Sequence, residues 1–150
     1  MQYINRTYRR SGALWEGRHK GSLVDAEDYL LRCYRYIELN PVTAGMVKIP
    51  DEYLWSSYRA NALGEADSLT TPHSVYQSLG STKKEQVEGY RALFGIAMMP
   101  TDISEIRHGI ESNYPVGCAR FKAQIEEALD RKLGTGRQGR PAKGGSAIDQ

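Results

Sequence analysis

The chain has 150 residues, 40% of them hydrophobic and 25% charged, and a net charge of +2, which suits one globular domain or a small domain with a tail. It holds no run of about 18 apolar residues, so no membrane span is expected, and its opening "MQYINRTYRR" is too polar and basic for a signal peptide. Cys33 and Cys118 lie far apart and form no C-x-x-C pair, which points to a reduced, cytoplasmic protein.

Residues 2–10 are expected to end a helix, with Arg9 and Arg10 in its last turn and Gly12 as its stop. "ALWEGRHKGSLV" (13–24) has no helical period and reads as extended chain, with room for one edge strand, and then a loop. Arg9, Arg10, Arg18 and Lys20 flank Trp15. Interleaved cations and rings suit a single nucleic-acid strand, the charges following the backbone while the rings accept bases. The alternative is a core Trp15 among solvated arginines.

Asp25 is a good N-cap, and Asp28 three residues on makes an acidic variant of the capping box. The helix then runs to about Asn40-Pro41. Leu30, Cys33 and Ile37 fall on one stripe; Tyr29, Tyr36 and Asn40 fall on the next. Tyr36 and Asn40 therefore project from one face about one turn apart. Asp25, Asp28 and Glu38 read as cap and solvent face. Tyr36 is one of 10 tyrosines, most of which pack or hydrogen-bond, so its residue type alone leaves a packing role and a nucleophilic role open.

"NPVTAGMV" reads as a turn into a short helix that starts at Pro41 and stops at Gly45. Further helices are expected from about Ser56 to Leu63, with Trp55 in the core, and from about Pro72 to Leu79. A third is capped by Ser81 and carries Val87, Tyr90, Leu93 and Phe94 at helical spacing. Thr101 can cap a helix to about Ser112; "NYPVG" breaks it; "CARFKAQIEEALDRKL" makes the last one. Two helices around a short break suit a helix-turn-helix, with Arg120 and Lys122 at the start of its second helix, and equally suit a hairpin that never meets DNA.

From Gly134 the chain is rich in glycine and basic residues and cannot bury enough to order itself. Its Gly139-Arg140-Pro141 is like the core of a minor-groove strip that lays Arg140 in A·T-rich DNA, or it is part of a plain basic tail. Residues 1–20 carry five cations against one acid, and so do residues 131–150. Basic ends around an acidic middle suggest a polyanionic partner.

Three blocks, "YRRSGALWEGRHKGSLV", "YLLRCYRYIELNPVTAGMV" and "YLWSSYRANALG", resemble in order and spacing the REP-associated tyrosine transposases, of the HUH class that acts on single-stranded DNA. The resemblance covers about residues 3–64 and extends more loosely to "TPHSVYQSLG", "RFKAQIEEAL" and "GRP". It implies a reaction in which a tyrosine attacks a phosphodiester beside a hairpin, leaving a 5′-phosphotyrosine link and a free 3′-hydroxyl. It also implies a magnesium or manganese ion, held by a His-hydrophobic-His strand and a polar side chain on the tyrosine helix, that polarises the phosphate. Matched residue by residue, the nucleophile position is Tyr36 and the helper ligand position is Asn40. A phenol with a pKa near 10 is a poor nucleophile unless activated, which is why the resemblance pairs it with an ion.

The chain departs from that pattern. Its histidines, His19, His73 and His108, form no His-x-His. It resembles the C-terminal portion of such an enzyme, with the strands of the central sheet missing. His19 and Gly21 stand where an aromatic and a serine are frequent, and Thr43 stands where an arginine is usual.

The expected fold is mainly α. Residues 1–64 would be the remnant of an α+β transposase domain, keeping the tyrosine helix and at most one edge strand. Residues 65–133 would be a helical, helix-turn-helix-like DNA-binding region, and residues 134–150 a disordered basic tail. The expected function is DNA binding related to transposition, on single-stranded or hairpin DNA of the REP type, without cleavage and without a bound metal in this chain alone. A homodimer, or donation of Tyr36 to a chain that has the histidines, is compatible with the family. The rival reading is a helix-turn-helix regulator in which Tyr36 is structural.

Overall fold

Helix α2, Ala26–Thr43, is the element on which the rest of the protein hangs. The computed structural model describes residues 2–9 and 19–134. Helix α1, Gln2–Thr7, is shorter than expected, and Arg9 follows it with φ 49°. The other helices are α3 (Tyr58–Leu63), α4 (Ser74–Gln77), α5 (Lys83–Ala92), α6 (Pro100–Ser112) and α7 (Ala119–Leu129), with 3₁₀ turns at Pro50–Glu52 and Leu93–Gly95. Among the described residues the only β pairing is a parallel bridge between Val24 and Val116. The architecture is mainly α, and no described helix is long and apolar enough to cross a membrane.

Three faces of α2 do three jobs. Leu31, Tyr34 and Glu38, spaced at helical period, meet α3, α4 and α5. The core there is aromatic. Tyr90, Tyr76 and Ala62 are buried, with Leu79, Tyr58, Leu93 and Phe94 packed on them. Tyr58 meets Phe94 edge-on at 5.0 Å, and Tyr90 lies 5.4 Å from Tyr76 and 5.5 Å from Phe94, separations that favour ring edges over ring faces. Each buried hydroxyl has a partner. Tyr76 donates to the Asn61 carbonyl (2.7 Å), and Tyr90 donates to Glu38 (2.8 Å). The core thus joins residues from both sides of residue 64.

The second face of α2 meets α6. Arg32 pairs with Asp102 at 2.9 Å, and the Tyr29 hydroxyl hydrogen-bonds Glu105. The turn after α6 holds the extended segment before α2. Val116 donates to Leu23 (2.9 Å), Asp25 donates to Val116 (2.8 Å), and Ser22 Oγ donates to the Gly109 carbonyl. Only glycine fits at position 109, because a Cβ there would lie 2.3 Å from the Val116 methyl.

Several expectations need correction. Glu38, expected on the solvent face, is fully buried. Trp55, expected in the core, is 87% exposed; α3 starts at Tyr58 rather than Ser56, and Tyr58 takes the core position. Ile37, on the expected apolar stripe, is exposed, because the inward face is centred one residue further on. Asp25 precedes α2 but makes no side-chain cap bond; its carboxylate meets Cys118 Sγ instead. Helix α2 runs through Pro41 to Thr43, and Pro41, lacking an N–H, costs the ladder one bond inside the helix rather than starting a new one. Thr82 rather than Ser81 caps α5, in a capping box with Glu85. His73 caps a shorter α4, and Pro100 opens α6 with Met99 rather than Thr101 as the cap.

Candidate functional site

The third face of α2 is open. Tyr36 is half-buried and Asn40 is exposed, one turn apart, with the exposed Ile37 beside them. Tyr29 lies seven residues before Tyr36 on the same stripe and is covered by α6; Tyr36 and Asn40 lie beyond that cover. Among the described residues the Tyr36 hydroxyl has no hydrogen-bond partner. The structure thus leaves the two residues on a common accessible face.

The orientation of that face follows from Glu38, which the sequence reading left on the surface. Its carboxylate accepts from Ser57 Oγ (2.7 Å), Asn61 Nδ2 (3.0 Å) and Tyr90 OH (2.8 Å). Burial raises the Glu38 pKa above its ordinary value, and the three donors oppose that rise without cancelling it. Burial, followed by the charge and hydrogen bond of Glu38, drives the Tyr90 hydroxyl far above the usual tyrosine range. Arg35 also turns inward, donating to the Ile96 carbonyl and lying over the Phe94 ring at 5.7 Å. With Arg35 and Glu38 fixed on one side of the helix, Tyr36 and Asn40 are held on the other.

The residues around Asn40 do not fit a magnesium or manganese site. Such an ion wants several oxygen ligands, carboxylates foremost. Glu38, two residues away, spends both oxygens on the core. His73 Nδ1 accepts the Val75 N–H at the start of α4, and His108 Nδ1 meets Ser112 on α6. The described side chains that do gather as potential ligands are Asp25, Asp28 and Cys118, whose ligand atoms lie within 4.8 Å of one another. They stand at the opposite end of α2, about 22 Å from Asn40 at 1.5 Å per residue.

The expected DNA contacts are scattered. Arg10, Trp15, Arg18 and Arg140 lie outside the described residues. Arg9 and Lys20 are exposed. Lys122 is bound to Glu105 of α6 at 2.6 Å and lies over the Tyr114 ring at 5.6 Å. Glu105 loses charge stability through burial, but hydrogen bonds from Lys122 and Tyr29 and the charge of Lys122 outweigh this and lower its pKa. Arg120 is exposed and borders a cavity of about 400 Å³ shared with Asp25, Glu27, Asp28 and Cys118. The start of α7, nominated as a recognition end, therefore faces carboxylates. Burial, then the Glu105 charge, push the Cys33 thiol up to about 11, which disfavours its thiolate.

No family model matches the chain, no curated protein matches it, and no solved structure matches it.

Proposed function

We propose that this chain is a transposase-related DNA-binding protein that engages single-stranded or hairpin DNA and does not cleave it alone. The observation that carries the reading is the open face of α2, where a phenol with no partner among the described residues and an exposed carboxamide stand one turn apart while Glu38 anchors the opposite side. That is the placement the tyrosine-transposase resemblance asks of Tyr36 and Asn40. The basic ends of the sequence supply charge for a polyanion. Cleavage is assigned elsewhere because, among the described residues, no carboxylate or histidine gathers with Asn40 to hold a hard cation.

The test uses the whole chain and a fluorescent hairpin DNA with a single-stranded arm, with magnesium or manganese present. The expected result is binding that weakens as salt rises, with no covalent product. A 5′-phosphotyrosyl adduct that disappears in Tyr36→Phe would overturn the assignment of inactivity. Absence of binding at low salt would overturn the DNA reading.

A further inference from the structure

The two basic ends of the sequence meet the described fold at one place. The Gly21 N–H donates to Asn113 Oδ1 at 3.0 Å, which sets Lys20 beside the turn after α6. At the other end, Gly134 lies against the Tyr114 ring, which a Cβ on that glycine would approach to 3.5 Å. Asn113 and Gly134 line a cavity of about 740 Å³, bordered also by His108, Glu111, Ser112, Tyr114 and Arg131. Its size is that of a ligand pocket.

We infer that this cavity, and not the start of α7, is where the chain holds the phosphodiester backbone of a DNA strand. The inference rests on the DNA-binding reading above. Its chemistry is that of phosphate recognition. Arg131 is exposed and, among the described residues, its guanidinium has no ion-pair partner, so its fork of donors is available. His108 is exposed; Ser112 Oγ, 3.4 Å from its Nδ1, leaves the other ring nitrogen for a ligand. Asn113 sits in the left-handed region (φ 53°) and uses its side-chain oxygen on Gly21, which leaves its amide N–H₂ as a donor. Glu111 is the opposing acid on the rim.

The contrast with the start of α7 is electrostatic. Arg120 shares its cavity with three carboxylates, and Lys122 is already paired. A phosphate there would meet net negative charge. In the cavity between the ends of α6 and α7 it would meet the Arg131 guanidinium and the donors of His108 and Asn113, with Glu111 as the single carboxylate on the described lining.

The competing role for Arg131 is to complement the C-terminal end of α7, where peptide dipoles favour positive charge. Binding of the full chain to the hairpin DNA separates the two. The expected result is that Arg131→Ala weakens binding several-fold and lowers the log–log salt slope by about one, the share of a single phosphate contact. Arg120→Ala should leave affinity within about twofold. Glu111→Gln should raise affinity, a change of sign that a damaged fold cannot produce. If wild type binds while Arg131→Ala and Glu111→Gln leave affinity and slope unchanged, the site is overturned even where those variants lose stability. If Arg120→Ala is the damaging change, the site belongs at α7. If wild type does not bind, the DNA reading fails, and this site fails with it.

Discussion

The Tyr90 hydroxyl on α5 donates to the Glu38 carboxylate on α2 at 2.8 Å, and neither side chain has any solvent exposure. This pair, with Ser57 and Asn61, closes a polar knot inside an aromatic core. Such a knot is stabilising only when every member is satisfied.

Removing the carboxylate leaves two buried donors, Asn61 and Tyr90, and the half-buried Ser57 without this acceptor, together with a hole. Glu38→Ala should destabilise the chain by about 3 kcal/mol. Glu38→Gln keeps one oxygen as an acceptor but turns an N–H₂ toward donors, and should cost less, about 1–2 kcal/mol. Urea unfolding followed by far-UV circular dichroism measures both. Equal losses from the two variants would mean that packing, rather than the hydrogen bonds, is what Glu38 supplies.

The same residue sets a pH dependence of definite sign. Its folded pKa is raised, chiefly by burial, so the folded state holds the proton more tightly than the unfolded chain. Stability from this group is complete below the ordinary glutamate value and is lost as pH rises through the folded value. The stability difference between wild type and Glu38→Gln should therefore shift against wild type over that interval. Glu105, with its lowered pKa, acts oppositely and loses its contribution as pH falls. Urea titrations of both proteins across the acidic range check the sign; a difference that grows with pH would contradict it.

Tyr36 and Tyr90 should respond differently to loss of the hydroxyl. Tyr36→Phe removes a group with no partner among the described residues and should change stability by less than about 0.5 kcal/mol. Tyr90→Phe strands a Glu38 oxygen in the core and should cost about 2 kcal/mol. Thermal melts of the two variants decide this. A large loss from Tyr36→Phe would show that its hydroxyl is structural, and would remove the main support for reading it as a nucleophile.

Gly109→Ala should cost about 2 kcal/mol or more, since its methyl would press on Val116 and on the Tyr114 carbonyl. Amide hydrogen exchange gives the local readout. Leu23 and Val24 should lose protection before the α3–α5 core does, because their pairing with the turn after α6 is what the new methyl disturbs.

The helices were legible in the sequence because their signals are local. Apolar period and the cap expected at Ser81, one residue from Thr82, placed most of them within a few residues, and Val87 and Tyr90, read at helical spacing, are both buried. The Tyr36–Asn40 relation was legible for the same reason, since one turn of helix fixes it. Glu38 was not, because Ser57, Asn61 and Tyr90 come from other elements and only the folded chain brings them to one carboxylate. Trp55 was misplaced because its size suggests burial, while the turn that precedes α3 hands the inward position to Tyr58. The carboxylates around the start of α7 were not legible for a similar reason: Asp25, Glu27 and Asp28 lie far from Arg120 in sequence and beside it in space.

The pairing of Val24 with Val116 has a consequence for how the protein is made. A ribosome must release most of the chain before the second partner exists, so the segment that leads into α2 waits unpaired while α3 to α5 can already close on their own aromatic core. Polypeptides cut short before the turn after α6 would keep that core and lack the clasp, leaving the front of α2 open to proteases.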